Sequence, residues 1–314
     1  MTSPRAYSIL VAAGLLFATL PPMASLANGA DNSAEQRPAS VPAHYLATPL
    51  GYVAPQAVIQ LRKGESVAMR QARRRASRDV NPGECKSARF NAAGLTLDRA
   101  GDRRGKLAAK SHYLADASVN FPKDYQTIQM TADIVVPPPP TLKGKQILYL
   151  LAGLHDAGDL SGPMVQTVVS WNMMGVTPGW TVTTWFASED DDCLYVSDPV
   201  PATPGAKLRQ IINARQANGK HVINASVLDG EAGNPLVQTT FTPPSFNPDQ
   251  VINVGLEGYN VKTCNLMPAG GEILYPYLAT DLTTSTGEKN ISDQIVVAPA
   301  SAHKCAITLT LDSQ

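Results

Sequence analysis

Met164-Val-Gln-Thr-Val-Val-Ser-Trp171 and Val251-Ile-Asn-Val-Gly-Leu-Glu-Gly-Tyr259 each set a polar side chain into an apolar, strand-like run. In the first, Val165 and Val168-Val169 flank Gln166; in the second, Ile252, Val254 and Leu256 lead to Glu257. A carboxylate among such residues is costly to bury without partners. A Gln and a Glu that project into one groove form a hydrolytic pair. The carboxylate takes a proton from water as general base, and the amide N–H stabilises the oxyanion that forms when the water attacks a carbonyl. The competing reading is two strand residues that line a concave face for hydrogen bonding or sugar binding, without chemistry.

Outward from these runs the chain continues in short strands. Ile128, Met130, Ala132 and Ile134 alternate with Gln129, Thr131 and Asp133, the period of a half-buried strand, until Pro137 to Pro140 stop it. Residues 147–152, 165–171, 180–186, 207–214, 221–228, 236–241, 251–259 and 306–311 also read as strands. Asn218-Gly219 carries a type I′ hairpin signal, and Asp229-Gly230 is another candidate turn. Short strands separated by Gly, Pro and Asn, with almost no amphipathic helix after residue 111, predict an all-β protein of two packed antiparallel sheets.

The N-terminal third reads differently. Residues 1–27 combine a short basic start, an apolar stretch and small residues at Ser25 and Ala27, the pattern of a signal peptide cleaved after Ala27. Pro21-Pro22 end the apolar run before bilayer length, so export is expected and no membrane attachment after cleavage. Residues 28–110 form a basic leader and a candidate propeptide. Asn28 to Val53 reads as an extended linker, and Ala54 to Ser77 has helical composition. The leader holds fifteen Lys plus Arg against seven Asp plus Glu, a net of plus eight; residues 111–314, the expected sandwich domain, hold ten against nineteen, a net of minus nine. Attraction between the two halves would weaken in acid, where the carboxylates take up protons and Arg stays charged. An anion-binding tail and a solvated leader without a partner are the alternatives; nucleic acid is not favoured.

Several ordered segments resemble the eqolisins, the glutamic peptidases, and their secreted relatives with a concanavalin A-like sandwich (jelly roll). Ser111-His-Tyr-Leu-Ala-Asp-Ala117 resembles the family's opening strand, and Ile128 to Pro137 its strand ending in Val-Pro. Met164-Val-Gln-Thr167 is similar to the segment with the catalytic Gln, and Trp180 to Phe186 with Val200 to Leu208 to the Trp-rich strand and the segment after it. Leu256-Glu-Gly-Tyr-Asn-Val-Lys-Thr-Cys264 places Glu257 where the family carries its catalytic Glu. The chain departs from the family in lacking the opening Trp, in Gly205-Ala206 where the family has Gly-Asp, and in lacking the Trp before the Glu. The resemblance implies a secreted endopeptidase acting at acidic pH on polypeptides through Gln166 and Glu257. Its alternative on the same architecture is a lectin-like module that binds carbohydrate or peptide. It also implies a Cys264–Cys305 disulfide, against which Cys193–Cys264 is the competing pairing.

Trp171, Trp180 and Trp185 are candidates for a stacking platform that contacts substrate, or else are core. Leu154-His-Asp-Ala-Gly-Asp159 and Glu189 to Asp192 are conceivable cation loops, for which solvated loops are the simpler reading. The sequence has no CxxC, HExxH or GxSxG pattern and no Walker or Rossmann glycine pattern, so no metal centre and no cofactor are expected. A monomer is expected.

Overall fold

The computed structural model describes residues 37–77, 85, 87–90, 94, 96–97, 113–120, 125–156, 164–187, 193–217, 220–243, 250–284, 286–291, 296–297 and 308–311. Residues 1–27, read from the sequence as a signal peptide, and the acidic run Glu189 to Asp192 lie outside these residues. Two sheets dominate. The larger has nine strands. Its central strands are β6 (Tyr113–Asn120), β16 (Gln250–Tyr259), β8 (Ile147–Asp156), β9 (Met164–Met173), β10 (Thr177–Ala187) and β11 (Leu194–Ser197), side by side in that order. At its edges lie β20 (Val296–Val297) and β3 (Val58–Leu61), and β12 (Val200–Pro201) pairs with β10.

The second sheet runs β15 (Pro235–Phe241), β14 (Lys220–Asp229), β13 (Lys207–Ala217), β7 (Tyr125–Val135), β18 (Tyr277–Thr284) and β19 (Gly287–Asn290). β13 and β14 pair as far as Ala217 opposite Lys220, the two-residue spacing that the Asn-Gly signal asks for. A short parallel pair, β17 (Glu272–Tyr275) with β21 (Thr308–Leu311), stands apart. Alternate residues of the two large sheets interdigitate in one apolar core. Leu148, Leu150, Val165, Val169, Val182, Phe186, Val254 and Leu256 of the large sheet meet Ile128, Met130, Ile212, Ile223, Val227 and Phe241 of the other. The chain is an all-β sandwich.

The described part of the leader is built into this sandwich, which corrects the helical reading of 54–77 and, over residues 37–53, the reading as a linker. Within residues 54–77 a 3-10 turn spans Pro55–Ala57 and the α-helix only Val67–Ala76 (α1), started by Ser66, whose hydroxyl accepts from the Met69 amide. Val58–Leu61 is instead β3, the edge strand of the large sheet, paired in parallel with β11. Before it, β1 (Leu46–Thr48) and β2 (Gly51–Val53) form a hairpin. Gly51 turns it with φ +92°, and Thr48 Oγ1 both donates to the Gly51 carbonyl and accepts from the Leu50 amide. β2 continues through β4 (Arg89–Phe90) to β5 (Thr96–Leu97).

A disulfide joins Cys85 of the leader to Cys193 of the sandwich, which rules out the competing Cys193–Cys264 pairing. Cys264 is itself disulfide-bonded; its expected partner, Cys305, lies outside the described residues. Disulfides fit an oxidising compartment. Among the described residues no helix is long and apolar enough to cross a membrane.

Candidate functional site

Side chains alternate across a strand, so the register fixes which residues share a face. On the face of the large sheet turned away from the second sheet, three rows cross β16, β8, β9 and β10. The first row is Glu257, Tyr149, Ser170 and Thr181; the second Gly255, Leu151, Val168 and Thr183; the third Asn253, Gly153, Gln166 and Trp185. Gln166 and Glu257 therefore occupy one face, at opposite corners of a patch centred on Leu151. Both are 1% exposed.

Strand spacing of about 4.8 Å and a rise of about 3.4 Å per residue set their Cα atoms roughly 17 Å apart on a flat sheet. At that separation the two side chains face each other over an apolar floor without a direct hydrogen bond. A chain of base, attacking water, carbonyl and donor spans up to about 10 Å at ordinary hydrogen-bond and near-attack distances. A peptide group and its water would fit between base and donor only with the residues that cover this face moved aside.

Among the described residues neither amide atom of Gln166 has a hydrogen-bond partner. A buried amide left in that state is costly, and such groups mark a missing partner or a function. Gly153 makes room for the side chain. A Cβ at this position would stand 2.7 Å from Gln166 Cγ, 3.1 Å from the Val165 carbonyl oxygen and 3.2 Å from Asn253 Oδ1. Gly153→Ala is expected to cost about 1–3 kcal/mol, the range for overpacked cores, and to displace Gln166. Urea denaturation measures it; unchanged stability would mean that Gln166 is not held against this strand.

Two tyrosines that the sequence reading passed over frame Glu257. Tyr149 Oη donates to the Ala47 carbonyl (2.7 Å) and accepts from the Met174 amide (3.0 Å). Tyr259 Oη donates to the Thr48 carbonyl (2.7 Å). Burial, with the Glu257 carboxylate adding to it, pushes both hydroxyls well above the usual tyrosine range, so they remain protonated donors. Asn253, separated from Gln166 only by Gly153, was also missed. Its signal was present, because Asn253 and Glu257 fall on the same side of an apolar strand.

The three tryptophans separate. Trp185 neighbours Gln166 and packs edge-on against Tyr149, with its indole N–H donating to Thr183 Oγ1 (2.8 Å). Trp171 and Trp180 project from the opposite face, where they pack edge to face in the core between the sheets. They take no part in the Gln166 surface.

The face is covered by the chain's own leader. Val41, Leu46, Ala47, Leu50, Tyr52 and Val53 pack with Tyr149, Leu151, Met164, Val168, Trp185 and Tyr259 in one buried cluster. Tyr52 meets Tyr259 edge-on at 5.3 Å, and Arg37 lies over the Tyr52 ring at 4.9 Å. Among the described residues no group of three or more His, Cys, Asp or Glu is placed to hold a metal ion.

No protein-family profile matches the sequence, and no curated protein matches it. Solved structures do. One is a crystal structure of Scytalido-glutamic peptidase with a peptide-based transition state analog, at 14% identity and TM-score 0.39 over 62% of this chain and 91% of that chain. The same peptidase with a transition state analog inhibitor matches at 12% identity and TM-score 0.38 over 62% and 91%. The CBM2 module of the Lactobacillus casei BL23 phage J-1 evolved Dit matches at 12% identity and TM-score 0.33 over 46% and 61%. Likeness at this level assigns neither a family nor an activity.

Proposed function

We propose that this chain is a latent peptide-bond hydrolase in which Glu257 activates water and Gln166 donates to the oxyanion. The observation that carries the reading is the Gln166 amide, 1% exposed and without a hydrogen-bond partner among the described residues, on the same face as Glu257. Glu65 and Glu257 are the carboxylates buried among the described residues, and Glu65 belongs to the leader, where it pairs with Arg73 at 3.0 Å. In the proposed step Glu257 takes the proton of the attacking water, and the Gln166 N–H meets the charge that develops on the carbonyl oxygen. Residues 28–110 act as a propeptide, and the protein acts outside the cytoplasm.

The Cys85–Cys193 bridge tethers the leader a second time, beside the continuous chain, and so limits how far acid alone moves it off the face. The test is casein hydrolysis between pH 2 and 7 by the full chain, with and without a phosphine reductant that works in acid. Turnover that appears in acid and increases on reduction is expected. Pepstatin is expected not to inhibit, since no aspartic dyad is proposed. Inactivity throughout, together with measurable peptide or glycan binding, would assign the face to a binding module instead.

A further inference from the structure

The leader touches the Gln166 and Glu257 face in a way that indicates what else would bind there. β1 is extended and all three of its residues are buried. Two successive carbonyls, those of Ala47 and Thr48, each accept a hydrogen bond from a tyrosine hydroxyl rooted in the sheet, at 2.7 Å in both cases. Tyr149 and Tyr259 stand on neighbouring strands, with Glu257 directly opposite Tyr149 and two residues before Tyr259. Both hydroxyls address main-chain oxygens, which every polypeptide carries, while small or apolar side chains pack on Leu151, Val168 and Trp185.

From this arrangement we infer that Tyr149 and Tyr259 are backbone-carbonyl donors for an extended polypeptide laid across the Gln166 and Glu257 face, and that Leu46–Thr48 of the leader is the occupant seen. The inference deepens the hydrolase reading by naming its ligand: an extended chain recognised through its main chain, with small and apolar side chains. It rests on that reading only for the chemical step after binding.

Recognition of this kind is register-specific but tolerant of sequence, as in strand addition to a sheet edge, where main-chain hydrogen bonds supply the affinity and pockets the selectivity. Tyr149 is held for the task. Its hydroxyl accepts from the Met174 amide, which turns its proton toward the bound carbonyl. Tyr259 is braced by its edge contact with Tyr149.

Two measurements on the full chain test the inference. In the first, Tyr149→Phe with Tyr259→Phe is compared with wild type by amide hydrogen exchange. Exchange at residues 46–53 is expected to rise on the order of tenfold, since two hydrogen bonds to this segment are lost. Exchange in β13 and β14 of the other sheet is expected to be unchanged. Unaltered exchange at 46–53 would overturn the inference.

In the second, Leu50→Asp places a charge in the buried hairpin turn, where Leu50 is 5% exposed, and so expels the hairpin. A synthetic peptide with the sequence of residues 46–53 is then titrated by calorimetry. It is expected to bind Leu50→Asp and not wild type, and each added Tyr→Phe change is expected to weaken it roughly fivefold. Binding that is indifferent to both hydroxyls would overturn the inference. Because no turnover is read, binding without hydrolysis would remove the catalytic proposal and leave this one standing.

Discussion

Glu257→Gln is expected to bring hydrolysis to background in every condition where the wild type is active. The substitution keeps the volume and shape of a side chain that is 1% exposed but removes the group that accepts the water proton. Gln166→Leu is expected to cost on the order of a hundredfold or more in rate, the range for losing one oxyanion donor. Its effect on stability should have the opposite character. The Gln166 amide makes no hydrogen bond among the described residues, so an apolar side chain of similar size loses no bond and relieves an unsatisfied polar group. Unchanged or higher stability with lost activity is the signature of a residue kept for chemistry at a cost to the fold. Casein turnover paired with chemical denaturation of both variants checks this. A large stability loss in Gln166→Leu would make Gln166 a structural residue.

Cys85→Ala with Cys193→Ala is expected to destabilise the full chain by roughly 2–5 kcal/mol. The bridge joins residues 108 apart, and a loop of about that length carries close to the maximum chain-entropy contribution of a disulfide, ~4–5 kcal/mol before any offset. The loss should concentrate in the leader. β3 would remain on the sheet by its pairing with β11, a parallel edge of four residues, and by the burial of Val58, Ile59 and Leu61. The hairpin, α1 and β3 should then exchange amide protons faster, while β7, β13 and β14 keep their protection. A reductant would break the Cys264 bridge as well, so the double variant is the measurement that isolates Cys85–Cys193. Equal stability with and without the bridge would mean that burial of the hairpin holds the leader unaided.

β7 was legible because only one of its faces is covered, which leaves Ile128, Met130, Ala132 and Ile134 buried in alternation. β9 carried a further message that went unread. Its first eight residues, Met164 to Trp171, are all buried, which happens when both faces of a strand are covered. That near-continuous apolar run called for a third layer over the Gln166 face, and the leader provides it. Local composition hid the layer. Ala54 to Ser77 is rich in Ala, Gln and Arg, good helix formers, yet Val58–Leu61 lies extended because the edge of β11 offers it hydrogen bonds that no local pattern records. The candidate pair stood out as polar residues in apolar strands. Asn253, Tyr149 and Tyr259 did not, because their importance comes from register across strands distant in sequence. Trp171 and Trp180 are ordinary core aromatics, as two of three tryptophans in a sandwich of this size are free to be.

The most direct test of a hydrolytic face closed by the chain's own leader compares casein turnover by Leu50→Asp with turnover by Leu50→Asp carrying Glu257→Gln, at one acidic pH and without reductant. Expelling the hairpin should bring hydrolysis above the level of the wild type, and the added Glu257→Gln should return it to background. Hydrolysis that survives Glu257→Gln, or a hairpin shown by amide exchange to have left a face that still does not hydrolyse, would contradict the account.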